Sequence, residues 1–194
     1  ADIPGLIAGA SEGAGLGIRF LKHLTRTRIL LHTVDLQPID GSDPVEDAKA
    51  IVDELAKFSP ALAELPVVLV LNKLDQISPD VQDEWCNHIV AELGWTGPVF
   101  RCSGLTGEGT KQVAYYLMDQ IEQQRELEAE DPDVAEAQRE FRERLEQETR
   151  ENSIAAKEAY REARRAAREG HDHDDDDDWD DEDDEGGMEV IYAR

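Results

Sequence analysis

Val67-Val-Leu-Val-Leu71 runs directly into Asn72-Lys73-Leu74-Asp75. The five apolar residues do not alternate, as expected of a strand buried on both faces of a parallel sheet. In open sheets of that kind, ligands bind at the carboxyl ends of the strands. An Asp at that end can accept two hydrogen bonds from the N1 and N2 protons of guanine, and adenine offers no matching donor pair. Asn72 can reach the other edge of the base or tie neighbouring loops together. The stem of Lys73 can lie over the flat ring. The plain alternative is an ordinary polar strand-to-helix loop.

On either side of this stretch, strands and helices alternate over residues 1–127. Arg28 to Val34 and Pro98 to Cys102 read as further strands. Asp43-Pro44 is a helix N-cap followed by proline at the first helical position. Val45, Ala48, Ile51, Val52, Leu55 and Phe58 follow it at helical spacing. Ser78-Pro79 repeats the start signal before Val81, Trp85, Ile89 and Leu93, and Gly94 suits the stop. Val113, Tyr116, Leu117 and Ile121 mark another amphipathic helix. Strands separated by helices of this length predict an α/β fold with a parallel sheet covered on both faces. A second segment, 128–170, is dense in charges of both signs. Asp131-Pro132 opens it, and Val134, Ala137, Phe141 and Leu145 form a thin apolar stripe. It reads as a solvated helix or helix pair leaning weakly on the domain.

Two more loops carry chemistry. Cys102-Ser103-Gly104-Leu105 follows a strand and precedes a helix, about thirty residues after Asn72. A small residue at Gly104 lets its backbone N–H approach the guanine O6. Asp2-Ile3-Pro4-Gly5 places a glycine three residues after an Asp. Such an Asp can hold a magnesium-bound water while the glycine N–H meets a terminal phosphate; standing alone it would be a Pro-Gly turn.

In this order the three motifs resemble the later motifs of P-loop GTPases. The stretch Asp2 to Gly17, followed by Arg19-Phe20-Leu21-Lys22-His23-Leu24, is similar to the switch II segment of the Obg (CgtA) family. Asp40-Gly-Ser-Asp-Pro44, the acidic tail with Trp179 and the Ile191-Tyr192 ending resemble proteobacterial members. The resemblance implies a partial, doubly wound P-loop GTPase domain lacking its first strands. It implies GTP, GDP and Mg2+ as ligands, and a slow GTPase switch in large ribosomal subunit assembly under growth or stress control. Asp2, Ile3, Pro4 and Gly5 would serve the phosphate and magnesium side, with Asp2 reaching the metal only through water. Asn72, Lys73 and Asp75 would read the base, and Ser103, Gly104 and Leu105 would complete its pocket. Ras-type proteins place a water-orienting Gln just after the Asp-x-x-Gly glycine. Here that position is Leu6, so slow intrinsic hydrolysis is expected; a fast rate lost only on changing Leu6 would overturn this.

No G-x-x-x-x-G-K-[ST] occurs in these residues, and Gly13 to Gly17 lacks the Lys and hydroxyl residue of a phosphate loop. The strand that carries that loop lies centrally in the family's sheet. The chain made alone is therefore expected to fold poorly, and a sharp cooperative melt would count against that.

Charge and composition bound the partners. The chain carries 45 acidic and 20 basic side chains, a formal charge of −25. His171 to Glu185 alone holds ten Asp and two Glu. This balance repels nucleic acid, so an RNA contact requires a local basic patch. The third segment, 171–194, reads as a disordered acidic tail able to mimic RNA and to compete for basic protein surfaces. Trp179 is either an anchor for such a partner or simply exposed. His171 and His173 read as solvated members of the charge run. The competing functional class is a non-hydrolysing acidic interaction module built on a degenerate remnant of the domain. Two cysteines suggest a reducing, cytoplasmic location, and no run approaches the ~20 apolar residues that span a bilayer. A monomer is expected, with rRNA and ribosomal proteins of the large subunit as partners.

Overall fold

The computed structural model describes residues 24–169. The segment Asp2–Gly5, Leu6, His23 and the acidic tail with Trp179 lie outside the described residues. The elements in chain order are β1 (Leu30–Asp35), α1 (Pro44–Phe58), α2 (Pro60–Ala63), β2 (Val67–Asn72) and a 3₁₀ turn (Leu74–Gln76). They continue with α3 (Gln82–Glu92), β3 (Val99–Arg101), α4 (Thr110–Glu130) and α5 (Pro132–Glu169). The strands are parallel, in the order β1-β2-β3.

Strand periodicity divides the core. Leu69 and Leu71 face one side, where they join Val34, Val45, Ala48, Cys86 and Ile89 from β1, α1 and α3. Val68 and Val70 face the other side and meet Cys102, Val113 and Tyr116. Because β2 is covered on both faces, its sequence shows no alternation. This is a doubly wound α/β sheet, and β1 and β3 form its edges among the described residues.

Local signals account for most boundaries. The Asp43 carboxylate accepts from Val45 N–H at 2.8 Å, and Pro44 takes the first helical position of α1. Gly94, at φ +59, ends α3: its N–H donates to Ala91 C=O and that of Trp95 to Val90 C=O, both helix-closing bonds of a Schellman motif. The start of α3 differs from expectation. Ser78 C=O instead accepts from Val81 N–H in a tight turn, and the helix begins at Gln82.

From Pro132 to Glu169 the charged segment is one helix, and it is keyed into the domain. Asp131 caps α5 through Asp133 N–H at 2.9 Å, with Pro132 at the first position. Leu145, only 1% exposed, enters a cluster with Leu30, Phe58, Leu62 and Leu65 at the end of the sheet where β1 and β2 begin. Glu148 accepts from Ser59 Oγ at 2.8 Å and Ala61 N–H at 3.0 Å, capping α2 from outside. Asn152 donates to the Phe58 carbonyl. The expected weak lean is therefore corrected: polar residues interleaved with the thin stripe bind the backbone at the α1–α2 junction. Leu145→Ala is expected to cost about 3 kcal/mol, because the rigid ends of two helices cannot collapse into the void. A urea midpoint within error of the parent would refute that packing account.

His32 on β1 is buried, and burial pushes its imidazole below the ordinary histidine range, against a hydrogen bond with the Ala48 backbone. It has a packing role. No helix among the described residues is long and apolar enough to cross a membrane.

Candidate guanine-base site

The carboxyl ends of all three strands meet at one loop cluster. β2 ends at Asn72, whose carbonyl accepts from Leu36 N–H just past β1. The chain then reverses through Lys73, the one non-glycine residue at positive φ (+66) among those described. That conformation costs an L-residue roughly 1 kcal/mol. It is held in place on both sides: Leu74 N–H donates to Cys102 C=O at 3.1 Å, and Lys73 Nζ pairs with Asp35 Oδ2 at 2.6 Å.

Asp75 follows in the 3₁₀ turn. Ser103, fully buried, donates from Oγ to Asp75 Oδ1 at 2.5 Å and accepts from Thr106 N–H at 3.0 Å. A carboxylate has acceptor capacity beyond one such bond, and Asp75 is exposed. Beneath the turn, Gln82 Nε2 donates to the carbonyls of Leu74 (3.1 Å) and Ile77 (3.0 Å). The first turn of α3 thus fixes the loop that presents Asp75.

Asn72 ties the loops together: its Oδ1 accepts from Gly104 N–H at 2.9 Å and lies 3.6 Å from the Cys102 thiol. Of the two roles open to Asn72, the structure shows the one that ties the loops, and it engages the Gly104 N–H. Leu105 stands 85% exposed beside this point. The loop closes through Ser103 N–H to Glu108 C=O and Gly107 N–H to Ser103 C=O, both 2.9 Å. The cysteines carry no nucleophilic poise: burial raises both thiols above their ordinary range, and Cys102 serves the core.

The structure therefore brings together Asn72, Lys73, Asp75, Ser103, Gly104 and Leu105. Asp2, Ile3, Pro4 and Gly5 are outside the described residues. Two participants escaped the sequence reading. Asp35 ends β1 directly opposite Asn72 in the register; a carboxylate closing the neighbouring strand was the available signal. Gln82 gave no signal, because its role depends on where α3 starts. No group of three or more His, Cys, Asp or Glu suited to a metal occurs among the described residues. Asp35→Asn is expected to change stability by under about 1 kcal/mol, since the pair is one-third exposed. It should also weaken guanine nucleotide binding several-fold by freeing Lys73, and unchanged affinity by titration would remove this positioning role.

A family model described as "50S ribosome-binding GTPase" matches residues 1–73. GTPase Obg of Psychrobacter sp. (strain PRwf-1) is 63% identical over 166 residues, covering 84% of this chain. The chain spans 41% of the length of that curated relative. On that identity, and with a parallel α/β sheet of the expected kind, the chain belongs to the Obg family of GTPases.

Proposed function

We propose that this chain supplies the base-reading half of a GTP-binding protein that hydrolyses GTP slowly and switches large ribosomal subunit assembly with growth or stress. The observation that carries this reading is the Asp75 carboxylate, oriented by buried Ser103 at the carboxyl end of β2. The N1–H and N2–H of guanine donate to it in parallel. Adenine presents a ring-nitrogen lone pair instead, which the carboxylate repels. The base lies between the Lys73 stem and Leu105, whose exposed apolar surface gains cover from the ring. Guanine O6 takes the Gly104 N–H in exchange for Asn72 Oδ1, so nucleotide binding releases one inter-loop tie.

The phosphate side falls to Asp2, Ile3, Pro4 and Gly5. Mg2+, when bound, neutralises charge on the β- and γ-phosphate oxygens, and Asp2 would hold it through a water. Leu6 has no group to orient the attacking water, which favours slow turnover. The family model's description supports the ribosomal partner, and a cytoplasmic monomer is the form proposed. Competition against a fluorescent GDP analogue tests base selectivity in the full-length protein. GDP is expected to displace the analogue and a thousand-fold excess of ADP to leave it bound. Equal displacement by ADP would reject guanine reading.

A further inference from the structure

The first two turns of α3 reach the chain at the carboxyl end of each of the three strands. Trp85 Nε1 donates to the Leu36 carbonyl, just past β1, at 3.1 Å. Gln82 Nε2 donates to the carbonyls of Leu74 and Ile77, past β2. Arg101, the last residue of β3, donates to Asp83 and, at 2.9 Å, to Asn87. These turns are themselves anchored, because Cys86 and Ile89 are buried in the cluster that holds Leu69 and Leu71.

The contact at Gln82 bears most directly on the base. Asp75 lies in a 3₁₀ turn of three residues, Leu74–Gln76, and Lys73 at its start supplies no side-chain cap among the described residues. The turn holds itself by two backbone bonds, Gln76 N–H to Lys73 C=O and Ile77 N–H to Leu74 C=O. A 3₁₀ turn has poorer hydrogen-bond geometry than an α-helix. Ser103 Oγ steadies Asp75 Oδ1, which fixes one oxygen but leaves the carboxylate plane free to swing about it. An amide NH2 carries two donors. Gln82 spends both on the carbonyls that bracket Asp75, and so sets the backbone from which that side chain springs.

We propose that Gln82 is a positioning residue that sets selectivity for guanine over hypoxanthine, acting on the base only through Asp75. The inference rests on the guanine reading above. Guanine offers N1–H and an amino N2–H in parallel, and hypoxanthine offers N1–H alone. Two bonds require both carboxylate oxygens in the plane of the base, whereas one bond tolerates rotation. Loss of the Gln82 grip therefore costs the bond to the 2-amino group before the bond to N1–H.

The test titrates GDP and inosine diphosphate calorimetrically into the full-length protein and its Gln82→Met, Asp75→Asn and doubly substituted forms. Met keeps the length and helix propensity of Gln without the amide. Gln82→Met is expected to weaken GDP about tenfold and inosine diphosphate less than about threefold. Added to Asp75→Asn, it should weaken GDP no further, because both changes act on one contact. Gln82→Glu, of the same size, turns a carboxylate toward the two carbonyls and should lose GDP at least as strongly as Met. Unchanged GDP affinity in either Gln82 variant overturns the proposal. So do equal losses of the two nucleotides, which mark a general loosening, and a further GDP loss in the double form. Full GDP affinity in Asp75→Asn would strike the guanine reading itself. Loss there with Gln82→Met unaltered would strike the positioning role alone.

Discussion

Replacing Asp75 with Asn should weaken GDP and GTP binding by roughly 10- to 150-fold, or 1.5–3 kcal/mol. The magnitude follows from the geometry at the end of β2. Ser103 Oγ donates to Asp75 at 2.5 Å, so in the variant it would donate to the amide oxygen and turn the NH2 toward the ligand. That NH2 would then face the two N–H donors of guanine with nothing to accept them. Xanthine carries a carbonyl where guanine carries its 2-amino group, and the new NH2 can donate to it. Asp75→Asn is therefore expected to lose guanosine diphosphate and gain xanthosine diphosphate, measured by parallel calorimetric titrations. Retention of full GDP affinity would show that Asp75 does not read the base.

Gly109→Ala is expected to destabilise the domain by about 3 kcal/mol or more and to abolish guanine nucleotide binding. Gly109 opens α4 at φ +73, and a Cβ there would stand 2.1 Å from the Arg101 carbonyl oxygen and 3.0 Å from Cys102 Cα. Both neighbours are backbone, so no side chain can swing aside. Relief requires moving β3 or the start of α4, and either motion pulls Ser103 away from Asp75. Gly104→Ala supplies the control within the same loop. Its Cβ would meet only Asn72 side-chain atoms at 3.6 and 3.8 Å, ordinary contact distances, so near-parental stability and affinity are expected. Denaturant midpoints and GDP titrations of the two variants should diverge; matching behaviour would mean that the loop is more pliable than described.

What was legible in the sequence follows from how local the cause is. β2 announced itself because burial on both faces leaves an unbroken apolar run. The cap at Asp43-Pro44 and the stop at Gly94 were legible because each acts within four residues. The start of α3 was not: the Ser78–Val81 turn competes for the same signal, and Gln82 is drawn to carbonyls of the preceding loop. Of the site, Asn72, Lys73, Asp75 and Ser103 to Leu105 could be read from motif order. The Asp35–Lys73 pair could not, since it joins strands 38 positions apart through register alone. The Asn72–Gly104 tie was half legible, because either of two roles for the amide satisfied the spacing. The keying of α5 was hidden for a different reason: Glu148 and Asn152 look like solvated residues until the α1–α2 junction offers unpaired backbone groups.

That keyed helix also has a mechanical consequence. Leu145 is clamped against the end of the sheet, and the shaft continues to Glu169, roughly 36 Å farther along at the α-helical rise. Any tilt at the α1–α2 corner would be carried along its whole length. A pivot of only five degrees at Leu145 sweeps the tip through about 3 Å by the same geometry. A small repacking at the far end of the sheet would thus reach the outside of the molecule magnified, as displacement rather than as chemistry.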